Sequence, residues 1–237
     1  MASLTVADTP EAVVSEYVFR STTQAFEGLL PDEHKSLARS IFALRRGPVR
    51  HSRDQTVVVE GDASDYIFLV ISGVVRSFRS FQNGTRSIVS FYLPTEFFGL
   101  TNHPTHLLTA EAVTDANILF FKRSALFSMA KRESQIADFL LTTTLTELRR
   151  TQKYSLQISR SAKGRVASFL VDLSKRMRTQ TCLDLPMSHK DIADHLGMTI
   201  ETLSRIITQM ENSGVIARGL SHDLILNNLQ ALAQMAD

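Results

Sequence analysis

The residues best suited to reading a polyanion lie in one run, Ser188 to Ile207. Within it, Glu201 and Arg205 stand four positions apart, so on a helix they share a face. Ile200 and Ser204 fall on that same face. An arginine donates a bidentate pair to guanine, a glutamate accepts from the cytosine amine, and an apolar group meets a thymine methyl. Standing alone, Glu201 and Arg205 would be an exposed helix ion pair worth a few tenths of a kcal/mol. The surrounding pattern decides against that reading.

That pattern specifies two helices and a tight turn. Ser188 with Asp191 three residues on resembles a capping box, with Asp in place of Glu. Ile192, Ala193 and Leu196 line one face of a first helix, and Ala193 is small enough for a close crossing. Gly197 supplies the left-handed C-cap. Thr199 caps a second helix whose apolar face is Leu203, Ile206, Ile207 and Met210. This is a helix-turn-helix, and the start of its second helix reaches base edges in the major groove. The expected base-reading residues are Ile200, Glu201, Ser204 and Arg205. Ser188, His189, Thr199 and Thr202, at the two helix starts, are the expected contacts to the DNA backbone. Asn212-Ser213-Gly214 ends the second helix. Val215-Ile216-Ala217 and Leu224-Ile225-Leu226 then read as a two-stranded wing.

Upstream of this motif the charge is uneven. The net charge is +2, yet Arg149 to Arg178 holds nine basic residues and one acid, Asp172. Such a stripe points to a polyanion or to a solvated helix face. Ser134 to about Ile158 reads as one long helix without Gly or Pro. It carries two stripes: Ile136, Leu140, Thr143, Glu147, Arg150, Tyr154, and Leu141, Leu145, Leu148, Gln152, Leu156. A helix apolar on two sides packs on its own domain and on a partner. The first stripe is the expected homodimer face. Gly164 reads as a break before another amphipathic helix through Val166, Phe169, Leu170 and Leu173.

The region from Pro48 to about Phe121 has a different texture. Short apolar runs, of which Tyr66 to Ile71 is the longest, alternate with Gly and Asn turns, which predicts an antiparallel barrel or roll. Asn83-Gly84 is a hairpin signal. Pro31-Asp32-Glu33 opens a helix carrying Leu37, Ile41 and Leu44, which Arg45-Arg46-Gly47-Pro48 ends, and Ser124 to Met129 reads as a short helix. The fold class is α+β. The expected domains are an arm (1–30), a β-roll with flanking helices (31–130), a dimerisation helix and hinge (131–160), and a winged helix-turn-helix (161–237).

Several functions are excluded or weakly supported. The 237 residues are 43% hydrophobic and 21% charged, ordinary for a globular protein. No run approaches the ~20 apolar residues of a membrane span. No basic cluster followed by an apolar stretch opens the chain, so no secretory signal and no membrane partner are expected, and a reducing cytoplasm is the expected location. There is no P-loop, G-x-S-x-G or HExxH, so an enzyme and catalytic residues are not expected. The single cysteine, Cys182, cannot make an internal disulfide. It is a candidate redox switch, its plainer reading being a small buried apolar residue. His103 and His106 in His-Pro-Thr-His are either loop histidines or ligands for haem or a metal, with no third ligand placed; no metal and no cofactor are expected.

Asp191-Ile192-Ala193 through Arg205, followed by Asn212-Ser213-Gly214-Val215-Ile216, is similar to the signature of the CRP/FNR family of bacterial transcription regulators. The resemblance extends over nearly the whole chain. It implies a jelly-roll-like β-roll sensor domain, a long dimerisation helix and a winged helix-turn-helix. Glu201-x-x-Ser204-Arg205 looks like the FNR/FixK branch, which implies a TTGAT-N4-ATCAA palindrome and RNA polymerase as a partner. Loops near Asn83-Gly84 and Thr101–His106 would be its contacts. Iron–sulfur ligation needs roughly four thiolates, and this chain has none before residue 182. Glu96-Phe97-Phe98-Gly99-Leu100 through Ala110 offers no arginine for a cyclic-nucleotide phosphate. The resemblance therefore implies a FixK-like activator of low-oxygen, respiratory or nitrogen-fixation genes that needs no ligand. The alternative is an effector-gated sensor, inactive without haem or another small ligand in its roll.

Overall fold

The computed structural model describes residues 40–157, 159–219 and 223–236. The expected arm and the start of the Pro31 helix lie outside the described residues. Eleven strands and six labelled helices follow: β1 (Arg45–His51), β2 (Thr56–Val58), β3 (Tyr66–Ser72), β4 (Val75–Ser80), β5 (Arg86–Tyr92), β6 (Phe97–Phe98), β7 (Thr109–Ala112) and β8 (Ala116–Lys122), then α1 (Arg123–Ala130), α2 (Ser134–Gln157), α3 (Ala162–Met177), β9 (Cys182–Asp184), α4 (His189–Leu196), α5 (Ile200–Asn212), β10 (Ile216–Arg218), β11 (Asp223–Leu226) and α6 (Leu229–Ala236). The chain forms two compact units. Of the described residues, one holds those up to Val75 together with Tyr92–Leu145; the other holds Arg76–Phe91 together with those from Thr146 onward. The turn region between β4 and β5 is therefore part of the second unit.

In the first unit, an antiparallel sheet runs in the order β1-β8-β3-β6. The unbroken apolar run in β3 has a physical cause, because the strand is buried on both faces. Ile67, Leu69 and Ile71 pack with Phe121, Leu126, Ile136 and Leu140 beneath the helices. Phe68 and Val70 face the other way, among Val75, Tyr92, Phe98, Ala110, Ala112 and Ile118. Side chains alternate across a strand, so two cores need apolar residues at every position. The rings of the second core stack: Phe68 on Phe98 at 4.9 Å and Tyr92 on Phe98 at 5.1 Å between centroids, with His106 5.7 Å from Phe68.

Three local features differ from the sequence reading. β1 begins at Arg45 and runs through Gly47-Pro48, where its register with β8 shifts. Proline is tolerated there because β1 is an edge strand. At the Asn83-Gly84 turn only Gly84 has positive φ, and the Phe81 N–H donates to the Thr85 carbonyl, so the turn is longer than the two-residue type. Gly164 does not break a helix. It lies inside α3, donates its N–H to the Ser161 hydroxyl at the N-cap, and a Cβ there would stand 3.2 Å from the Met235 carbonyl of α6. The glycine records a close approach of two helices, one of which the sequence pattern did not reveal.

Because Phe68 joins strand pairing to the aromatic stack, Phe68→Ala should lower the unfolding free energy by about 3–5 kcal/mol. Urea melts of the two proteins measure this; a loss under about 1 kcal/mol would mean the stack does not hold the roll.

Candidate nucleic-acid interface

The second unit builds its exposed reading face from helix ends. Ser188 caps α4, its hydroxyl accepting from the Asp191 N–H at 3.1 Å. Gly197 closes α4 at φ 60°, the left-handed region in which a Cβ is strained. Thr199 caps α5, its hydroxyl accepting from the Thr202 N–H at 3.2 Å. Leu203, Ile206, Ile207 and Met210 are buried, while Ile200, Glu201, Ser204 and Arg205 are exposed and line one open groove with Thr208 and Gln209. All four sequence-derived base-reading residues are thus brought onto one surface. The Glu201 carboxyl is held below the ordinary range by its own backbone N–H and then by the Thr199 hydroxyl. It presents an ionised acceptor at the first turn, where the helix dipole favours negative charge.

The four expected backbone contacts separate. His189 and Thr199 are exposed, but the Thr199 hydroxyl is engaged with Thr202. Ser188 is turned inward, accepting from the Asp191 N–H and donating to the Asp191 carboxylate at 2.9 Å. The capping box is therefore one-sided. Thr202 is half-buried.

Behind this face, Arg165 was not singled out by the sequence except as part of a basic stripe. It donates to the Leu196 carbonyl at 2.8 Å, satisfying the C-terminal end of α4. Other members of the stripe are also occupied: Arg150 pairs with Glu147, Arg176 and Lys153 with Asp172, and Arg160 donates to Ser168. Part of the stripe is thus engaged within the chain, while Arg149, Lys153, Lys175 and Arg178 remain exposed.

The wing has three strands rather than two, in the order β10-β11-β9, because the Cys182 strand pairs with β11. Cys182 is exposed there, which corrects its reading as a buried apolar residue and meets one precondition for redox chemistry. In the other unit, His106 is buried against Phe68, while the His103 ring meets the Thr105 hydroxyl at 3.1 Å. Burial pushes the His106 pKa down, against Asp62, which raises it. Among the described residues, no group of three or more His, Cys, Asp or Glu could hold a metal ion.

The expected dimer stripe is also corrected. Ile136 and Leu140 are buried in the core of their own unit. Thr143 and Tyr154 are half-buried, Tyr154 lying against His195, and Glu147 pairs with Arg150. The exposed apolar positions of α2 are instead Leu141 (57%), Leu145, Leu148 (50%) and Leu156. These belong to the second stripe. Both stripes have helical spacing; α2 simply uses the first to cover its own chain.

The description "Crp-like helix-turn-helix domain" matches residues 164–235, and "Cyclic nucleotide-binding domain" matches residues 48–133. The nitrogen fixation regulation protein FixK of Azorhizobium caulinodans is 35% identical over 214 residues, covering 88% of this chain and 86% of that protein. This chain belongs to the CRP/FNR family, in its FixK-like branch. FixK of Rhizobium meliloti is 40% identical over 162 residues, 68% of this chain and 74% of that protein. The solved structure of FixK2 from Bradyrhizobium japonicum superposes with a TM-score of 0.76 at 34% identity, covering 80% of this chain and 96% of that one. Regulators of this family bind DNA and act as dimers, and they are not enzymes. Among the described residues of this FixK-like regulator, no helix is long and apolar enough to cross a membrane.

His195 ties the interface to the rest of its unit. Its ring lies among Phe91 (5.3 Å), Tyr154 (5.4 Å) and Phe169 (5.6 Å), and its Nδ1 donates to the Ile88 carbonyl at 3.0 Å. Desolvation lowers its pKa from 6.5 to about 4, outweighing the Ile88 carbonyl and Asp172, which raise it, and adding to Arg176, which lowers it. Arg150, Lys153 and Tyr154 complete the surroundings. The folded form binds its proton less well than the unfolded form. Stability is therefore full above pH 6.5 and lost as pH falls toward about 4. At 1.36 kcal/mol per pKa unit the total is about 3 kcal/mol. Thermal melts between those limits should show this slope, and His195→Phe should flatten it. An equal slope in both proteins would assign the proton elsewhere.

Proposed function

We propose that this regulator is a homodimeric transcription activator that reads a TTGAT-N4-ATCAA palindrome through Ile200, Glu201, Ser204 and Arg205. The observation that carries this reading is the joint exposure of those four side chains at the capped start of α5. Arg205 takes guanine, Glu201 accepts from the opposing cytosine amine, and Ile200 meets a thymine methyl. His189 and Thr199 lie at helix starts near the phosphates. Two α5 helices of a dimer then enter successive major grooves ~34 Å apart. The FixK relatives carry nitrogen-fixation regulation in their names, which supports nitrogen-fixation target genes; this reading extends to low-oxygen or respiratory genes and to recruitment of RNA polymerase.

The dimer face is the exposed stripe Leu141, Leu145, Leu148 and Leu156, which a second copy of α2 would remove from water. Leu148→Glu should turn the dimer into a monomer in sedimentation experiments and weaken binding to the palindrome. A variant that remains dimeric would move the interface off this stripe.

The protein acts without a small effector. This reading draws on the roll's second core, where the rings of Phe68, Tyr92, Phe98 and Phe120 pack on one another. An effector-gated protein would bind the palindrome no better than a scrambled duplex until its ligand arrived. Fluorescence anisotropy of the purified, reduced, ligand-free protein on both duplexes separates these readings. Arg205→Ala should cost about 1–3 kcal/mol on the palindrome and relax preference at the guanine. An equal loss on random DNA would remove Arg205 from base reading.

A further inference from the structure

The β4–β5 hairpin meets α4 through two arginines that no sequence signal for DNA binding includes. Arg76 on β4 lies with Nη1 3.3 Å from both carboxylate oxygens of Asp191. Arg86 on β5 donates through Nη2 to the same carboxylate and through Nε to Asp194 at 2.8 Å. Asp191 is 3% exposed and Arg76 6%. The carboxylate also accepts from the Ser188 hydroxyl at the helix cap. One turn further along α4, the His195 ring donates to the Ile88 carbonyl of β5. The hairpin therefore grips α4 at two points, Asp191 with Asp194 at one and His195 at the other.

We propose that Arg76 and Arg86 are positioning residues for DNA recognition, and that the β4–β5 hairpin is a working part of the DNA-reading head. The argument is one of geometry. A buried ion pair adds little net stability over an apolar contact of the same shape, because both charges lose water. What it adds is direction. A guanidinium bonded to two separate carboxylates accepts few orientations. Two attachments a turn apart stop α4 from rotating about its axis. The one-glycine turn at Gly197 and the buried packing of Ile192, Ala193 and Leu196 pass that constraint to α5. The clamp has a second effect. Asp191 and Asp194 sit on the helix whose start faces the phosphates, and two arginines neutralise them there.

This inference rests on the DNA-binding reading, and its test keeps the two apart. Full-length wild type, Arg86→Met, Arg76→Met and Arg86→Lys are compared in two measurements. The first is amide exchange of residues 76–91 and 189–196 without DNA. The second is anisotropy on the palindrome and on a scrambled duplex, below every variant's melting temperature. Both Met variants should speed exchange in both segments. They should weaken palindrome binding roughly tenfold or more while changing scrambled-duplex binding far less. Arg86→Lys keeps the charge but not the fork, so it should fall between, and it decides the matter if a Met variant does not fold. Unchanged exchange would show that these contacts do not hold the hairpin. Faster exchange with undiminished preference, or equal losses on both duplexes, would leave the clamp a structural contact only and overturn the proposal. A wild type without preference for the palindrome would overturn the DNA-reading assignment instead, while exchange still tests the clamp.

Discussion

A carboxylate removed from water must find partners, and Asp191 is such a group in the second unit. Left unpaired in that position it would cost several kcal/mol. Its partners come from two places in the chain: the Ser188 cap next to it and two arginines more than a hundred residues earlier. The segment carrying those arginines interrupts the first unit in sequence but clusters with the second. Much of the unit's organisation follows from satisfying that one group. The hairpin has its place, α4 has a fixed rotation, and the exposed face of α5 follows through the Gly197 turn.

The His195 ring adds an apolar counterpart to this polar contact. Phe91, Phe169 and Tyr154 reach it from three different elements, and only the neutral imidazole suits such surroundings. The ring nitrogen still needs a hydrogen-bond partner, and the Ile88 carbonyl supplies it. Burial and hydrogen bonding thus act together: the rings exclude water, and the remaining donor is satisfied within the protein.

Helix α2 shows how one periodic sequence serves two surfaces. Its first stripe enters the core of the first unit through Ile136 and Leu140 and meets His195 through Tyr154. Its second leaves leucines in water. Apolar side chains at helical spacing carry no mark of which neighbour covers them. That choice depends on where strands β3 and β8 and the ring of His195 lie, and these are set by contacts distant in sequence.

The local architecture was legible in the residue pattern. Caps at Ser188, Thr199 and Gly197, the apolar spacing of α4 and α5, and the exposed Ile200, Glu201, Ser204 and Arg205 are short-range properties, because each depends on neighbours within one or two helical turns. The doubly buried β3 was legible as an unbroken apolar run for the same reason. Long-range packing settles that Gly164 admits α6, that β9 joins the wing, that part of the basic stripe is engaged by partners within the chain, and which face of α2 stays in water. It also decided the role of Arg76 and Arg86. Nothing in the residues around them reveals a buried carboxylate on a helix a hundred residues away. Charge and hydrophobic pattern specify what a side chain can satisfy; the folded chain determines which partner comes within reach.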